Sequence, residues 1–153
     1  FNPNVTFITV VVDENSELIN YDELGADEVM SITEILREET VIELGEKFNI
    51  TELCTVVKPD VLLYLEKNGY EKAAYIDPDI EIFSDLNEVF DKLDEHNMFI
   101  TPHICSPTEL GVSASDYHLL RTGVYNLGFG AFNLKKTIPF TLVCLNLNLI
   151  SSS

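Results

Sequence analysis

Apolar and polar positions change period along the chain, and the changes mark its elements. Phe7 to Val12 is a β-branched apolar run that stops at Asp13-Glu14. A continuous apolar run of that length predicts a buried parallel strand whose C-terminal end meets an acidic loop. The polar stretch Asn15 to Ala26 predicts a loop with a helical turn, and Val29 to Ile32 a short second strand. Between Thr33 and Phe48, helix formers carry apolar residues at Ile35, Leu36, Val41, Ile42 and Leu44. This predicts a helix, weakened by Gly45. The next helix is expected to start at Thr51-Glu52 with Thr51 as its N-cap. Pro59 should kink it or split it in two, because proline removes an amide donor. Val61, Leu62 and Leu65 give the continuation an apolar stripe, and Gly69 supplies the C-terminal stop.

Ala73 to Ile76 predicts a short strand, followed by the tight connection Asp77-Pro78-Asp79 and the apolar pair Ile82-Phe83. Asp85, with Glu88 three residues on, resembles the N-terminal cap of a helix from Leu86 to Leu93. Met98 to Thr101 predicts another strand, stopped by Pro102, and Ser115 to Arg121 a short helix. Asn126 to Leu134 reads as a strand in which Gly128 and Gly130 mark close backbone approach. No internal repeat is visible. Strands that alternate with helices predict an α/β fold with a mostly parallel sheet flanked by helices. Phe7–Val12, Ala73–Ile76 and Met98–Thr101 are the expected central strands, with Asp13, Asp77 and His103 near one edge of the sheet. Residues 137–153 carry no charge. They read as an edge strand with a frayed tail, or as sequence foreign to the domain.

The chain has 153 residues, 46% of them hydrophobic, enough for one domain with a real core. A disulfide miniprotein and a disordered tail are thereby excluded. The apolar runs fall well short of the roughly 18 residues that would span a bilayer, so no transmembrane segment is expected. No secretory signal opens the chain, and Phe1 in place of a Met predicts a start inside a longer protein. Cys54, Cys105 and Cys144 have no zinc-finger spacing, and three thiols cannot all pair with one another. Free thiols in a reducing cytosol, and so a cytoplasmic protein, are expected. The net charge is −17. All 26 acids fall within residues 1–116, together with six of the nine Lys and Arg, a balance of −20. The last 37 residues carry three basic residues and no acid. So acidic a surface repels nucleic acid and anionic membranes and attracts divalent cations. Most of the acids read as a solvated face.

The sharpest chemical feature is Ala73-Ala74-Tyr75-Ile76-Asp77-Pro78-Asp79-Ile80, an apolar strand running into two carboxylates. Ligands of open α/β sheets bind beyond the carboxyl ends of strands. Two acids at that spacing offer hard oxygens to Mn²⁺ or Mg²⁺, which in turn can hold a diphosphate. The plain alternative is a solvated turn, which Asp-Pro-Asp suits without any ligand. His103, in Thr101-Pro102-His103, could bind metal or substrate or move a proton, or could be a loop residue with one hydrogen bond. From Thr122 to Gly130, small residues interleave with aromatics and one Asn. That suits a wall that meets a sugar or nucleotide closely, or else a core strand whose glycines are forced by packing. Lys58, at a helix break, could reach a phosphate or lie on the surface.

In order and spacing these segments resemble a family of nucleotide-sugar glycosyltransferases. The segments are the run from Asn49 to Pro59, Tyr75-Ile-Asp-Pro-Asp-Ile, Thr101-Pro-His and Gly123-Val-Tyr-Asn-Leu-Gly-Phe. The resemblance covers about residues 1–134. It implies the A-type glycosyltransferase fold, a Rossmann-like sheet with an Asp-x-Asp metal motif. It implies an enzyme that transfers a sugar from a nucleotide-diphosphate-sugar donor to an acceptor not specified by the sequence. Asp77 and Asp79 would hold Mn²⁺ or Mg²⁺ against the donor diphosphate, with Asp79 the more direct ligand. Lys58 would lie near the donor. His103, Tyr125, Asn126 and Gly128 would line the sugar or acceptor pocket. No residue stands out as catalytic base or nucleophile. Such domains usually run to well over 200 residues, with an earlier nucleotide-receiving strand and a later metal ligand. Residues 1–136 are therefore expected to be an incomplete catalytic domain, with 137–153 an atypical tail. The chain alone would then transfer sugar weakly or not at all, and an exposed sheet edge would favour self-association.

A haloacid-dehalogenase-like phosphohydrolase also places Asp-x-Asp after an apolar strand, with the first Asp attacking phosphate. It wants a small Thr or Val two residues past the second Asp, where this chain has Glu81, and no later acidic pair follows residue 116. The remaining alternative is a non-catalytic acidic α/β module that binds a partner or a cation.

Overall fold

The computed structural model describes residues 2–13, 20, 23, 25–104 and 123–137. The protein is mixed α/β, and its described residues divide into two compact units that meet in sequence between Tyr70 and Glu71.

In the first unit, β1 (Ile8–Val11) pairs in parallel with β2 (Glu28–Ser31), Ile8 opposite Glu28 and Val11 opposite Ser31. A 3-10 turn, Ile32–Glu34, follows. Then come α1 (Glu38–Lys47), α2 (Ile50–Val56) and α3 (Lys58–Lys67). The helix expected over Thr33 to Phe48 is thus two pieces. Ser31 and Glu34 form a reciprocal capping box on the 3-10 turn, and Arg37 is extended before α1 begins. Pro59 splits the next helix as expected, and the proline sits in the first turn of α3, where its missing N–H costs no helical bond. The N-cap of α2 is Asn49, not Thr51. The Asn49 side chain accepts from the Glu52 N–H, and the Glu52 carboxylate accepts from the Asn49 N–H. A reciprocal pair satisfies two otherwise orphaned amides, which a cap two residues later would leave open. Gly69, at φ 90°, ends α3. Tyr70 N–H donates to Leu65 O and Gly69 N–H to Glu66 O, a Schellman closure. Ile32, Leu53 and Val57 are buried. Around them pack Val10 and Val12 from the β1 end, Val41, Leu44 and Phe48 from α1 and its cap, and Val61 from α3.

The second unit contains β3 (Lys72–Ile76), α4 (Asn87–Lys92), β4 (Met98–Pro102) and β5 (Tyr125–Asn133). Its sheet has the order β3-β5-β4, and β5 is antiparallel to both neighbours. The expectation of one mostly parallel sheet with three central strands is therefore met only in part. β1 lies in the two-stranded sheet, and β3 and β4 run the same way but are separated by β5. Among the described residues, Asp13 follows β1 of the two-stranded sheet, and Asp77 and His103 follow β3 and β4 of the three-stranded one. Hydrophobic period reports that a strand is half buried or buried, not the direction of its neighbour.

Leu93, Ala131 and Leu134 are buried in this unit. The end of α4 is tied to the sheet by polar groups. Asn133 Nδ2 donates to Leu93 O, and Lys72 Nζ donates to Phe90 O and pairs with Asp94 at 2.7 Å. Lys136 Nζ donates to Asp94 O. Lysines at the last carbonyls of a helix oppose its negative end. Asp85 Oδ1 accepts from Asn87 N–H at the start of α4, close to the expected cap. The predicted helix Ser115–Arg121, Cys105, Cys144 and the stretch 138–153 lie outside the described residues. Among the described residues, Cys54 carries a free thiol, and no helix is long and apolar enough to cross a membrane.

The assignment of the α2 cap is tested by substitution. Asn49→Ala should cost about 1 kcal/mol of stability, and Thr51→Ala less than about 0.5 kcal/mol, in chemical denaturation. Equal losses would reject Asn49 as the cap.

Candidate functional site

The candidate residues of the second unit meet because of how β5 is shared. β3 and β4 both run antiparallel to β5, so both end at its N-terminal part. Each ladder continues one rung beyond its strand. Asp77 N–H donates to Gly128 O at 2.7 Å, and His103 N–H donates to Val124 O at 3.0 Å. The pairing of β5 with β4 then slips. Ile100 faces Gly130, but Thr101 faces Asn126, so three residues of β5, Leu127 to Phe129, bulge relative to β4. Phe129 remains opposite Ile76 on the β3 side. Bulges of this kind bend a strand and re-aim its side chains, and they concentrate beside functional sites.

Within the bulge, Gly128 meets both Asn126 and Asp77. Gly128 N–H donates to Asn126 Oδ1 at 2.7 Å. A Cβ at position 128 would stand 2.9 Å from Asn126 Oδ1 and 3.1 Å from Asp77 Oδ2, with Ile80 Cδ1 at 3.5 Å. Glycine at 128 therefore lets the backbone of β5 approach the Asp77 carboxylate without displacing the side-chain ends of Asn126 and Asp77. Gly130 differs, since a Cβ there would meet the Phe132 ring at 2.9 Å, which is a packing constraint within the strand. The other Asp77 oxygen, Oδ1, accepts a 2.5 Å hydrogen bond from Tyr75 Oη. Residues i and i+2 of a strand share a face, which sets the phenol beside the carboxylate. Tyr75 is the residue that motif reading passed over, although its i, i+2 spacing from Asp77 was the available signal.

Asp77-Pro78-Asp79-Ile80 is a turn closed by Ile80 N–H donating to Asp77 O at 3.0 Å. Asp77 is half buried and Asp79 is exposed. His103 is exposed, and its Nδ1 is 2.9 Å from Gly123 O. Because a carbonyl only accepts, that ring nitrogen carries the proton, and Nε2 is the nitrogen that can accept from or ligate a partner. Tyr125 is exposed at the start of β5, opposite Pro102. Lys58 is the first residue of α3 and belongs to the other unit. Burial raises the pKa of Asp60 in α3, whereas hydrogen bonds from Lys135 and Lys92 hold those of Glu71 and Glu88 low. Among the described residues, no three His, Cys, Asp or Glu side chains cluster as a self-sufficient metal site.

Comparison with protein-family models, curated proteins and solved structures finds no match.

The close approach at Gly128 predicts a measurable asymmetry between glycines. Gly128→Ala should lose about 1–3 kcal/mol in chemical denaturation through overpacking against Asp77 and Asn126. Gly45→Ala, in α1 with nothing within 4 Å of its Cβ position, should gain about 0.5–1 kcal/mol.

Proposed function

We propose that the protein binds a nucleotide-diphosphate sugar with a divalent cation, as part of a sugar-transfer enzyme. One observation carries the reading: two like-directed strands, β3 and β4, both run out along the N-terminal half of β5, which bulges between them. Gly128 there touches both Asp77 and Asn126, and the exposed side chains of Asp79 and His103 belong to the loops that leave the two strands. A Rossmann-like parallel sheet would require strands beyond the described pairings, and it belongs to the same proposal.

The donor set suits a hard cation, Mn²⁺ or Mg²⁺. These ions are commonly held by one or two carboxylates, with substrate phosphates and water completing the sphere, so a site without a third protein ligand is consistent. Asp79, exposed on the turn, would be the direct ligand. Asp77 would supply a second oxygen or orient the first sphere, with glycine at 128 leaving space next to its Oδ2. When bound, the cation would neutralise charge on the departing diphosphate. Asn126 and Tyr125 would border the sugar or acceptor, and His103 Nε2 could accept a hydroxyl proton there. A reducing cytoplasmic location and self-association through the outer edges of β3 and β4 complete the proposal. Among the described residues those two edges pair with no strand.

Calorimetry with Mn²⁺ and a panel of nucleotide sugars tests it. Asp79→Ala should weaken Mn²⁺-dependent donor binding by at least about tenfold while the circular dichroism spectrum is kept. Equal binding by variant and parent would remove the proposal. A phosphoenzyme trapped on Asp77 would replace it with phosphohydrolase chemistry.

A further inference from the structure

We infer that Tyr75 is a positioning residue: its hydroxyl sets the orientation in which Asp77 presents its carboxylate to a divalent cation. The inference rests on the proposed reading of the turn as a cation and diphosphate site.

Three constraints converge on Asp77. Its N–H is fixed to Gly128 O, continuing the β3–β5 ladder. Its Oδ1 takes the hydrogen of the Tyr75 phenol. Its Oδ2 lies against the bare Cα of Gly128, where a Cβ would be 3.1 Å away. A carboxylate has two torsions to fix. The backbone rung fixes the Cα, and the phenol fixes which oxygen turns back along β3. Oδ2 then lies on the Gly128 side. Tyr75 itself is held by its strand, since it pairs with Gly130 across β5. The phenol oxygen is thus carried by a ring whose base is set by the sheet, a rigid support for a short contact. Partners of this kind, hydrogen-bonded to a ligating side chain from behind, commonly tune metal affinity by one to two decades. A phenol that merely needed a partner would be satisfied equally by water at this half-buried position, and its loss would then leave cation binding unchanged.

The test is titration of Mn²⁺ into the parent protein, Tyr75→Phe, Asp77→Asn and the double variant, with circular dichroism on each. Tyr75→Phe keeps the ring and removes only the hydroxyl. It should weaken Mn²⁺ binding by about tenfold or more. The same change made in the Asp77→Asn background should have little further effect, because the two groups act as a unit. Tyr75→Phe binding Mn²⁺ as tightly as the parent overturns the inference. So does an additive cycle, or a Tyr75→Phe variant that loses its fold. Failure of the underlying reading looks different: the parent itself would bind no Mn²⁺, and the inference would fall with it.

Discussion

The second unit depends on one strand that must satisfy hydrogen bonds on both of its edges. Backbone amides and carbonyls of a sheet have to be paired, and β5 supplies partners to β3 on one side and β4 on the other. Antiparallel pairing to a shared centre forces the two outer strands to run the same way, β3 ending opposite Phe129 and β4 opposite Tyr125. Nothing about Asp77 or His103 as side chains brings them to the same end of the sheet. The ladder does so, through the Asp77–Gly128 and His103–Val124 rungs. The three-residue slip between Ile100 and Thr101 then departs from the regular pleat at the level of Gly128. Regular pairing holds the sheet, and its local failure shapes the place where polar groups collect.

The same economy of polar groups secures the other end of the unit. The last turn of α4 presents carbonyls that no helical amide satisfies. Lys72, Lys136 and Asn133 reach Phe90, Asp94 and Leu93 with side-chain nitrogens. Two of the three donors are cations, placed where the helix end is negative. Among the described residues, no buried side-chain nitrogen or oxygen lacks a partner. In the first unit the work is divided differently. Caps at Ser31 and Asn49 and the Gly69 closure set where the helical segments start and stop, and Ile32, Leu53 and Val57 supply the apolar contact that holds them.

Much of this was legible in the residues. The runs Phe7–Val12, Val29–Ile32, Ala73–Ile76, Met98–Thr101 and Asn126–Leu134 each contain or overlap a strand, because apolar β-branched and aromatic runs bounded by Gly, Pro and acids have few other uses. Pro59 and Gly69 act where their backbone chemistry dictates. Pairing direction was not legible: β3 and β4 would read identically beside a parallel neighbour. The bulge was not legible either, since it is a property of two strands and only one of them carries the glycines. Asp77, Asn126 and Gly128 were each noticed as motifs, but the contacts of Gly128 with the other two needed the register. Tyr75 escaped because it looks like an ordinary strand residue until the phenol is seen on Asp77.

The two acids of the turn are held unequally, and that inequality bears on how a cation could be bound with so few protein ligands. Asp77 is half buried and restrained at the backbone and at Oδ1, so little side-chain freedom remains for it to lose on binding. Asp79 is exposed on a proline-containing turn and keeps its rotamers. A site assembled only from mobile carboxylates would lose rotamer freedom for each ligand, and the charges would repel one another while no cation was present. A site of two rigid carboxylates would demand a single geometry from an incoming diphosphate. One restrained and one mobile oxygen donor lies between these limits. In the proposed reading, exposed Asp79 holds the cation directly and can adjust to the ligand that arrives with it, while restrained Asp77 steadies the sphere from behind.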